Sequence, residues 1–342
     1  MAELFGQGIP ADRPIGEVWV VWDQLEVENG VSVGKTLASL VRRDPLSILG
    51  SRLASAQDAV FPLLVKILDT RETLSVQVHP DDGYAQVNEG QPFGKAEVWY
   101  VLDAEPHSRL IHGVREPLTR ADAKEAIESG RLREVLDYVD LAPGDVILNV
   151  PGTIHGLGEG ILLYELQQSS DLTYRLYDWD RGDPSRPLHI QQSLDVAYLQ
   201  PFARHKVEPI EVQEDGAVRA YLCACKHFAA ELLTVQSRAR EQPAGVCFHI
   251  LTALRGQGQL HYDSGSPDRV LLNPGDSWLV PAGLGEYELQ AASGEPLVLI
   301  KAYVPDLLDD VVTPLRQRGL SEEAIVQLGG DAQYSDLRSL GQ

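Results

Sequence analysis

Ser75, Gln77 and His79 are spaced by two, and Lys95 and Glu97 repeat that spacing a short distance on. On a β-strand, residues i, i+2 and i+4 share one face. The stretch Leu74–Trp99 therefore predicts two strands that each turn polar groups toward one place. His79 offers an imidazole, Glu97 a carboxylate and Gln77 a neutral oxygen, an uncommon ligand. His155 follows Pro151-Gly152 at a turn and adds a second imidazole. Two imidazoles and a carboxylate suit zinc, or iron where the site is open on one face.

Basic groups narrow what such a metal would act on. Lys66 interrupts the apolar strand Phe61–Leu68, and Arg175 shares a face with Thr173 and Tyr177 in Leu172–Trp179. Together with Ser75 and Lys95 they resemble a phosphate cradle, with bidentate capacity at Arg175. Each also has an ordinary alternative. Lys66 can extend its ammonium to solvent, Lys95 can be a solvated loop lysine, and Arg175 can pair with Asp171 or Asp178. A metal beside a phosphate cradle either polarises an oxygen of a sugar phosphate or assists phosphate hydrolysis.

The elements that must position these groups are mostly strands. Val18–Trp22, Phe61–Leu68, Val146–Val150, Ile161–Gln168 and Leu172–Trp179 carry strand patterns. Thr36–Arg43, Pro45–Ala56, Thr119–Ser129 and Leu132–Tyr138 are expected as helices, with Thr119 as a cap and Gly130 as terminator. From Val207 short strands return, and an internal echo appears. Pro143-Gly-Asp145 stands ten residues before His155, and Pro274-Gly-Asp276 ten before Glu286. The second half thus reads as a structural copy without metal, with Glu286 a surface residue at the position of His155. The tail is helical at Ser321–Leu328, capped by Ser321.

Composition sets the bounds. A chain of 342 residues predicts two domains. Its 44% hydrophobic and 23% charged content is that of a soluble globular protein. The net charge of −21 disfavours nucleic acid and anionic membranes as partners while leaving room for a local basic pocket. Cys223, Cys225 and Cys247 make no disulfide framework and read as buried small hydrophobes. The first residues have no basic start or apolar core of a signal peptide, and no run of 18 apolar residues occurs. A cytoplasmic setting is expected.

The motifs LSVQVHPDD, GKAEVWYVLDAEP and GILLYELQQSSDLTYRLYDWDR, supported by PIGEVW, FPLLVKILD and PLHI, resemble the bacterial short form of class I mannose-6-phosphate isomerase. The resemblance covers roughly residues 14–305. It implies a mainly β fold of two cupin-type, jelly-roll β-barrels with peripheral helices. Residues 1–205 would form the catalytic cupin, with a helical insertion near 115–140, residues 206–305 a second, metal-free cupin, and 306–342 a helical tail. One Zn²⁺ would be held by Gln77, His79, Glu97 and His155. Lys66, Ser75, Lys95 and Arg175 would line the substrate pocket, with Asp171 in the same Ser-Asp motif as Arg175 and Trp19 against the pocket. Glu165 would be an active-site carboxylate, and Lys95 and Arg175 would share in catalysis.

The implied reaction interconverts mannose 6-phosphate and fructose 6-phosphate through a cis-enediol, in a monomer or homodimer. Two other readings use the same residues: a two-cupin metal oxygenase, which needs no anion cradle, and a non-catalytic sugar-phosphate binding protein. Three departures from the family stand out. Val150-Pro151-Gly152 replaces Pro-Ala-Gly, Leu157 stands where the longer branch has tyrosine, and the tail after Pro305 is long.

Overall fold

A computed structural model describes residues 15–54, 59–263 and 267–340. The first 14 residues of the lead-in, Pro14 among them, fall outside that description, as do the far end of the Pro45–Ala56 segment and the last two residues of the tail.

The first half contributes β1 (Glu17–Val21), β2 (Leu63–Thr70), β3 (Val76–Val78), β4 (Glu97–Ala104), β5 (Arg109–Val114), β6 (Leu136–Asp140), β7 (Val146–Asn149), β8 (His155–Leu157), β9 (Ile161–Gln168) and β10 (Tyr174–Tyr177). They pair as two sheets, β1-β2-β9-β4-β7 and β10-β3-β8-β5-β6. The second half contributes β11 (Ile210–Glu214), β12 (Ala217–Ala224), β13 (Ala229–Val235), β14 (Arg238–Glu241), β15 (His249–Arg255), β16 (Gly258–Asp263), β17 (Pro267–Leu272), β18 (Ser277–Val280), β19 (Tyr287–Ala291) and β20 (Leu297–Tyr303). These form β11-β12-β13-β20-β15-β18 and β14-β19-β16-β17. Two cupin-type barrels result.

The central strands are buried on both faces, which explains their near-continuous apolar runs. Val65 and Ile67 of β2, Val98 of β4, and Tyr164 and Leu166 of β9 join Tyr221, Cys223, Phe248, Ile300 and Ala302 of the second half in one core. The two large sheets therefore pack against each other. Each such aliphatic side chain contributes roughly 1.5–3 kcal/mol by leaving water. Cys223, Cys225 and Cys247 sit in this core as free thiols. The alternate residues of the same strands, Lys66, Glu165, Glu97 and Trp99, turn into the first barrel.

Two helix expectations are corrected. The helix begun at Pro45 stops at Leu49, because Gly50 takes φ +88° and a Cβ there would meet the Val246 carbonyl oxygen at 2.3 Å. Leu132–Tyr138 gives one helical turn to Val135 and then β6, since Tyr138 and Val139 pair with Ile111 and Leu110 of β5. The helix Arg120–Glu128 forms as expected, with a capping box between Thr119 and Asp122.

The internal echo is real and extends to strand register. Trp19, Lys66, Glu165 and Trp99 lie in one row across β1-β2-β9-β4. Tyr221, Glu231, Lys301 and Leu251 lie in the matching row across β12-β13-β20-β15. Bulges fall at matching places, after Trp19 and Tyr221 on the edge side and after Val101 and Ala253 on the other. The position expected for Glu286 is corrected by one residue. Glu286 is largely exposed, and it is Tyr287 that is buried, pairing with Glu241 as His155 pairs with Gln77. The turn Ala282–Leu284 and Gly285, with φ +85°, shift the phase. Among the described residues no helix is long and apolar enough to cross a membrane.

Candidate active site

Three motifs meet around Lys95 in the first barrel. The loop between β3 and β4 is clamped where it delivers Lys95. Gly94 N–H donates to Asp82 Oδ1 at 2.8 Å, Lys95 N–H donates to the Pro80 carbonyl at 3.0 Å, and Ala96 N–H donates to Gln168 Oε1 at 2.9 Å. Gln168 Nε2 in turn donates to Asp82 Oδ1 at 2.9 Å. A Cβ on residue 94 would lie 2.4 Å from the Pro80 carbonyl oxygen, so glycine is required there. The His-Pro-Asp-Asp, Gly-Lys and Gln-Gln stretches are thus one construction that holds Lys95 inside the barrel. Lys95 is buried, which excludes the solvated-loop alternative.

His79, Glu97 and His155 are all buried, and their donor atoms lie within 4.8 Å of one another. His79 Nε2 is 3.5 Å from Glu97 Oε2, and His155 Nε2 is 3.1 Å from Glu97 Oε1. Two ligands each about 2.0–2.1 Å from a tetrahedral ion would be roughly 3.3 Å apart, so these separations fit a shared ion. His79 Nδ1 donates to the Leu172 carbonyl at 2.7 Å and His155 Nδ1 to the Thr153 carbonyl at 2.8 Å. Each bond fixes the ring and leaves Nε2 with its lone pair facing the centre. Both oxygens of Glu97 and Nε2 of His155 are buried without a hydrogen-bond partner, a state that a cation would relieve. Gln77 is in register with His155 on one side and Arg175 on the other. The residues present therefore fit a metal ion.

The electrostatics set the two carboxylates apart. Burial alone would raise the Glu97 carboxyl, but Lys95, His155 and His79 hold it well below the usual range. Lys95 Nζ lies 3.0 Å from Glu97 Oε2 and 3.2 Å from His79 Nε2. Burial, with Lys95 next, pushes His79 down to about 3, so it is neutral and free to ligate. Glu165 moves the other way. Burial and then the Glu97 charge raise it above its ordinary value, against the opposing pull of Lys66 and Lys95. Its Oε1 accepts from Trp99 Nε1 at 3.0 Å, and its Oε2 lies 3.6 Å from Lys66 Nζ. Lys66 in turn sits 4.8 Å over the Trp19 ring.

Arg175 has another environment. Its Nη1 donates to the Pro187 carbonyl at 3.1 Å, and its Nε is buried without a partner. The ion-pair alternative is not realised, because Asp178 is held by Arg186 and Arg181. Burial and then Arg186 lower the Arg175 guanidinium. Ser75 is buried immediately before β3. Asp171 is exposed, and its described hydrogen bond, from Thr173 Oγ1 at 3.3 Å, uses its backbone carbonyl. Two contributors were missed in the sequence. Trp99 continues the Lys95, Glu97 spacing by two, so the strand rule could have found it. Gln168 carried no such signal, because its role is to clamp a loop distant in sequence.

A family model for the type I phosphomannose isomerase catalytic domain matches residues 1–108. Mannose-6-phosphate isomerase ManA of Bacillus subtilis is 34% identical over 298 residues, covering 84% of this chain and 89% of that protein. The mannose-6-phosphate isomerase of Streptococcus mutans is 33% identical over 284 residues, covering 81% and 85%. The crystal structure of the Bacillus subtilis mannose 6-phosphate isomerase superposes with a TM-score of 0.77 at 28% identity, over 88% of this chain and 93% of that one. On this sequence similarity across most of both chains, the protein belongs to the type I phosphomannose isomerases.

Proposed function

We propose that the chain interconverts mannose 6-phosphate and fructose 6-phosphate, with one zinc ion held by Gln77, His79, Glu97 and His155. The observation that carries this reading is geometric: the buried donor atoms of His79, Glu97 and His155 lie within 4.8 Å of one another, and a second buried carboxylate, Glu165, stands nearby between Trp99 and Lys66. Lys95 and the two imidazoles hold the buried Glu97 carboxyl below its ordinary value, while burial and the Glu97 charge raise that of Glu165, the direction that makes a carboxylate a better base. When bound, zinc would supply positive charge to the substrate oxygens as electrons move between C1 and C2.

The chain's own residues would do the rest. Glu165 takes the proton from C2 of the open-chain aldose and returns it to C1, while the hydroxyl proton of O2 passes to O1, so that both moves run through a cis-enediol. Lys95, fixed between Glu97 and His79, presents an ammonium to the oxygen that gains charge. Arg175 with its unpaired Nε, Lys66 and Ser75 bind the phosphate, and Trp19 closes the side of the pocket beside Lys66. Asp171 acts at the pocket rim, next to this cradle. The anion cradle favours this reading over an oxygenase, and the filled donor set favours it over a non-catalytic binder.

Conversion of fructose 6-phosphate in D₂O tests the proton transfer. Mannose 6-phosphate carrying deuterium at C2 is expected. Complete retention of the substrate hydrogen would argue for a hydride shift instead.

A further inference from the structure

We propose that Trp99 is a positioning residue for the isomerisation, acting through Glu165. The inference rests on the reading of Glu165 as the proton-transfer base. Trp99 is 1% exposed, and its indole N–H reaches Glu165 Oε1 at 3.0 Å. An indole is a donor only, so this bond needs an acceptor and favours the carboxylate form. The other oxygen, Oε2, is the one beside Lys66 at 3.6 Å. The two oxygens are therefore claimed from opposite sides, by β4 and by β2, and the plane of the carboxylate is fixed between them. The same indole stands edge-on to His155, with ring centroids 5.4 Å apart and planes 79° apart. One side chain thus sets the base relative to a residue of the metal cluster, the geometry that proton transfer at a bound sugar needs.

The second barrel provides an internal control. At the row position of Glu165 it has Lys301, and at that of Trp99 it has Leu251. The sheet does not need an indole there to fold. The indole occurs in the barrel where a carboxylate stands beside it to accept the bond.

The test uses the full-length protein loaded with zinc. Replacing Trp99 with phenylalanine removes the N–H and keeps an aromatic ring. A benzothienyl analogue of tryptophan at position 99, with sulfur in place of N–H, keeps the full shape. With either change kcat is expected to fall about 10- to 100-fold, the scale of one hydrogen bond to a charged group. KM and bound zinc should change little. The kinetic isotope effect on C2-deuterated mannose 6-phosphate should rise, because the proton step becomes slower. In a Glu165→Gln background, Trp99→Phe should cost nothing further. Wild-type kcat and isotope effect in the benzothienyl protein would overturn the proposal, as would a loss that adds in full to that of Glu165→Gln. Full activity of Glu165→Gln alone would instead overturn the underlying role of Glu165.

Discussion

His249 occupies in the second barrel the register position that Glu97 occupies in the first: Glu97 pairs with Asn149 of β7, and His249 pairs with Val280 of β18. The row beside it is exchanged in charge. Lys66 opposite Glu165 in the first barrel becomes Glu231 opposite Lys301 in the second. In the second barrel the charges satisfy one another. Lys301 Nζ lies 2.7 Å from Glu241 and 2.9 Å from Glu231, Tyr303 donates to Glu231 at 2.6 Å, and Arg219 binds both glutamates. In the first barrel Lys95 Nζ lies 3.0 Å from Glu97 Oε2, but Glu97 Oε1 and His155 Nε2 are buried with no hydrogen bond among the described residues. The same scaffold thus closes one polar centre on itself and leaves converging donor atoms at the other.

That closure predicts a stability cost when it is broken. Replacing Lys301 with methionine leaves Glu231 and Glu241 buried with Arg219 as their remaining cation. Unfolding free energy should fall by about 3–5 kcal/mol. A chemical denaturation curve measures it, and a midpoint equal to wild type would contradict the network's role.

Stability should also fall in acid in two stages. His249 is pushed down to about 3 by burial and then Lys301. Its folded value is below its ordinary 6.5, so the unfolded chain takes the proton first and stability declines as pH drops from about 6.5 toward 3. Glu231, which burial would raise, is held down to about 2 by Lys301 and Arg219. Its contribution is complete above the ordinary 4.5 and is lost as pH falls through about 2. Melting temperature against pH should therefore begin to fall below 6.5 and fall more steeply below 4.5. A flat profile down to pH 4 would contradict the first stage.

Arg175→Ala should act on binding. Its buried Nε has no partner among the described residues, so a phosphate oxygen is the natural acceptor. Loss of one hydrogen bond to a charged group corresponds to roughly a 10- to 100-fold rise in KM, with a smaller change in kcat. Unchanged KM for mannose 6-phosphate would remove Arg175 from the cradle.

The acid limb of kcat/KM should report Glu165. The base must be ionised, and burial with Glu97 raises it above 4.5. Activity should fall as pH drops through a value above 4.5, and Glu165→Gln should abolish most turnover at every pH. An acid limb unchanged in a Glu165 variant that remains active would assign it to another group.

Much of this site was legible because strand spacing is local. Ser75, Gln77 and His79 announce one face through a period of two, Lys95 and Glu97 announce another, and Trp99 follows the same rule. Glu165 and Arg175 were legible as types on alternating strands, and the motifs they share with a known family joined them to the rest. What could not be read was pairing across distance. Lys66 meets Glu165 through the order β2-β9, and Gln168 bonds Asp82 from 86 residues further along the chain. The echo was visible as Pro-Gly-Asp repeats, yet counting ten residues chose Glu286 over Tyr287, because the turn Ala282–Leu284 with Gly285 lengthens the second repeat by one residue. The helix expected at Leu132–Tyr138 failed where tertiary pairing with β5 overrode local pattern.

A metal held by His79, Glu97 and His155, with Gln77, is what we propose makes this chain an isomerase of mannose 6-phosphate. The most direct test measures bound metal and isomerisation rate in one preparation, before chelation, after it, and after zinc is returned. Rate and metal content should fall together and return together at one zinc per chain, and His79→Ala should regain neither. Full isomerase activity in thoroughly metal-free protein would contradict it.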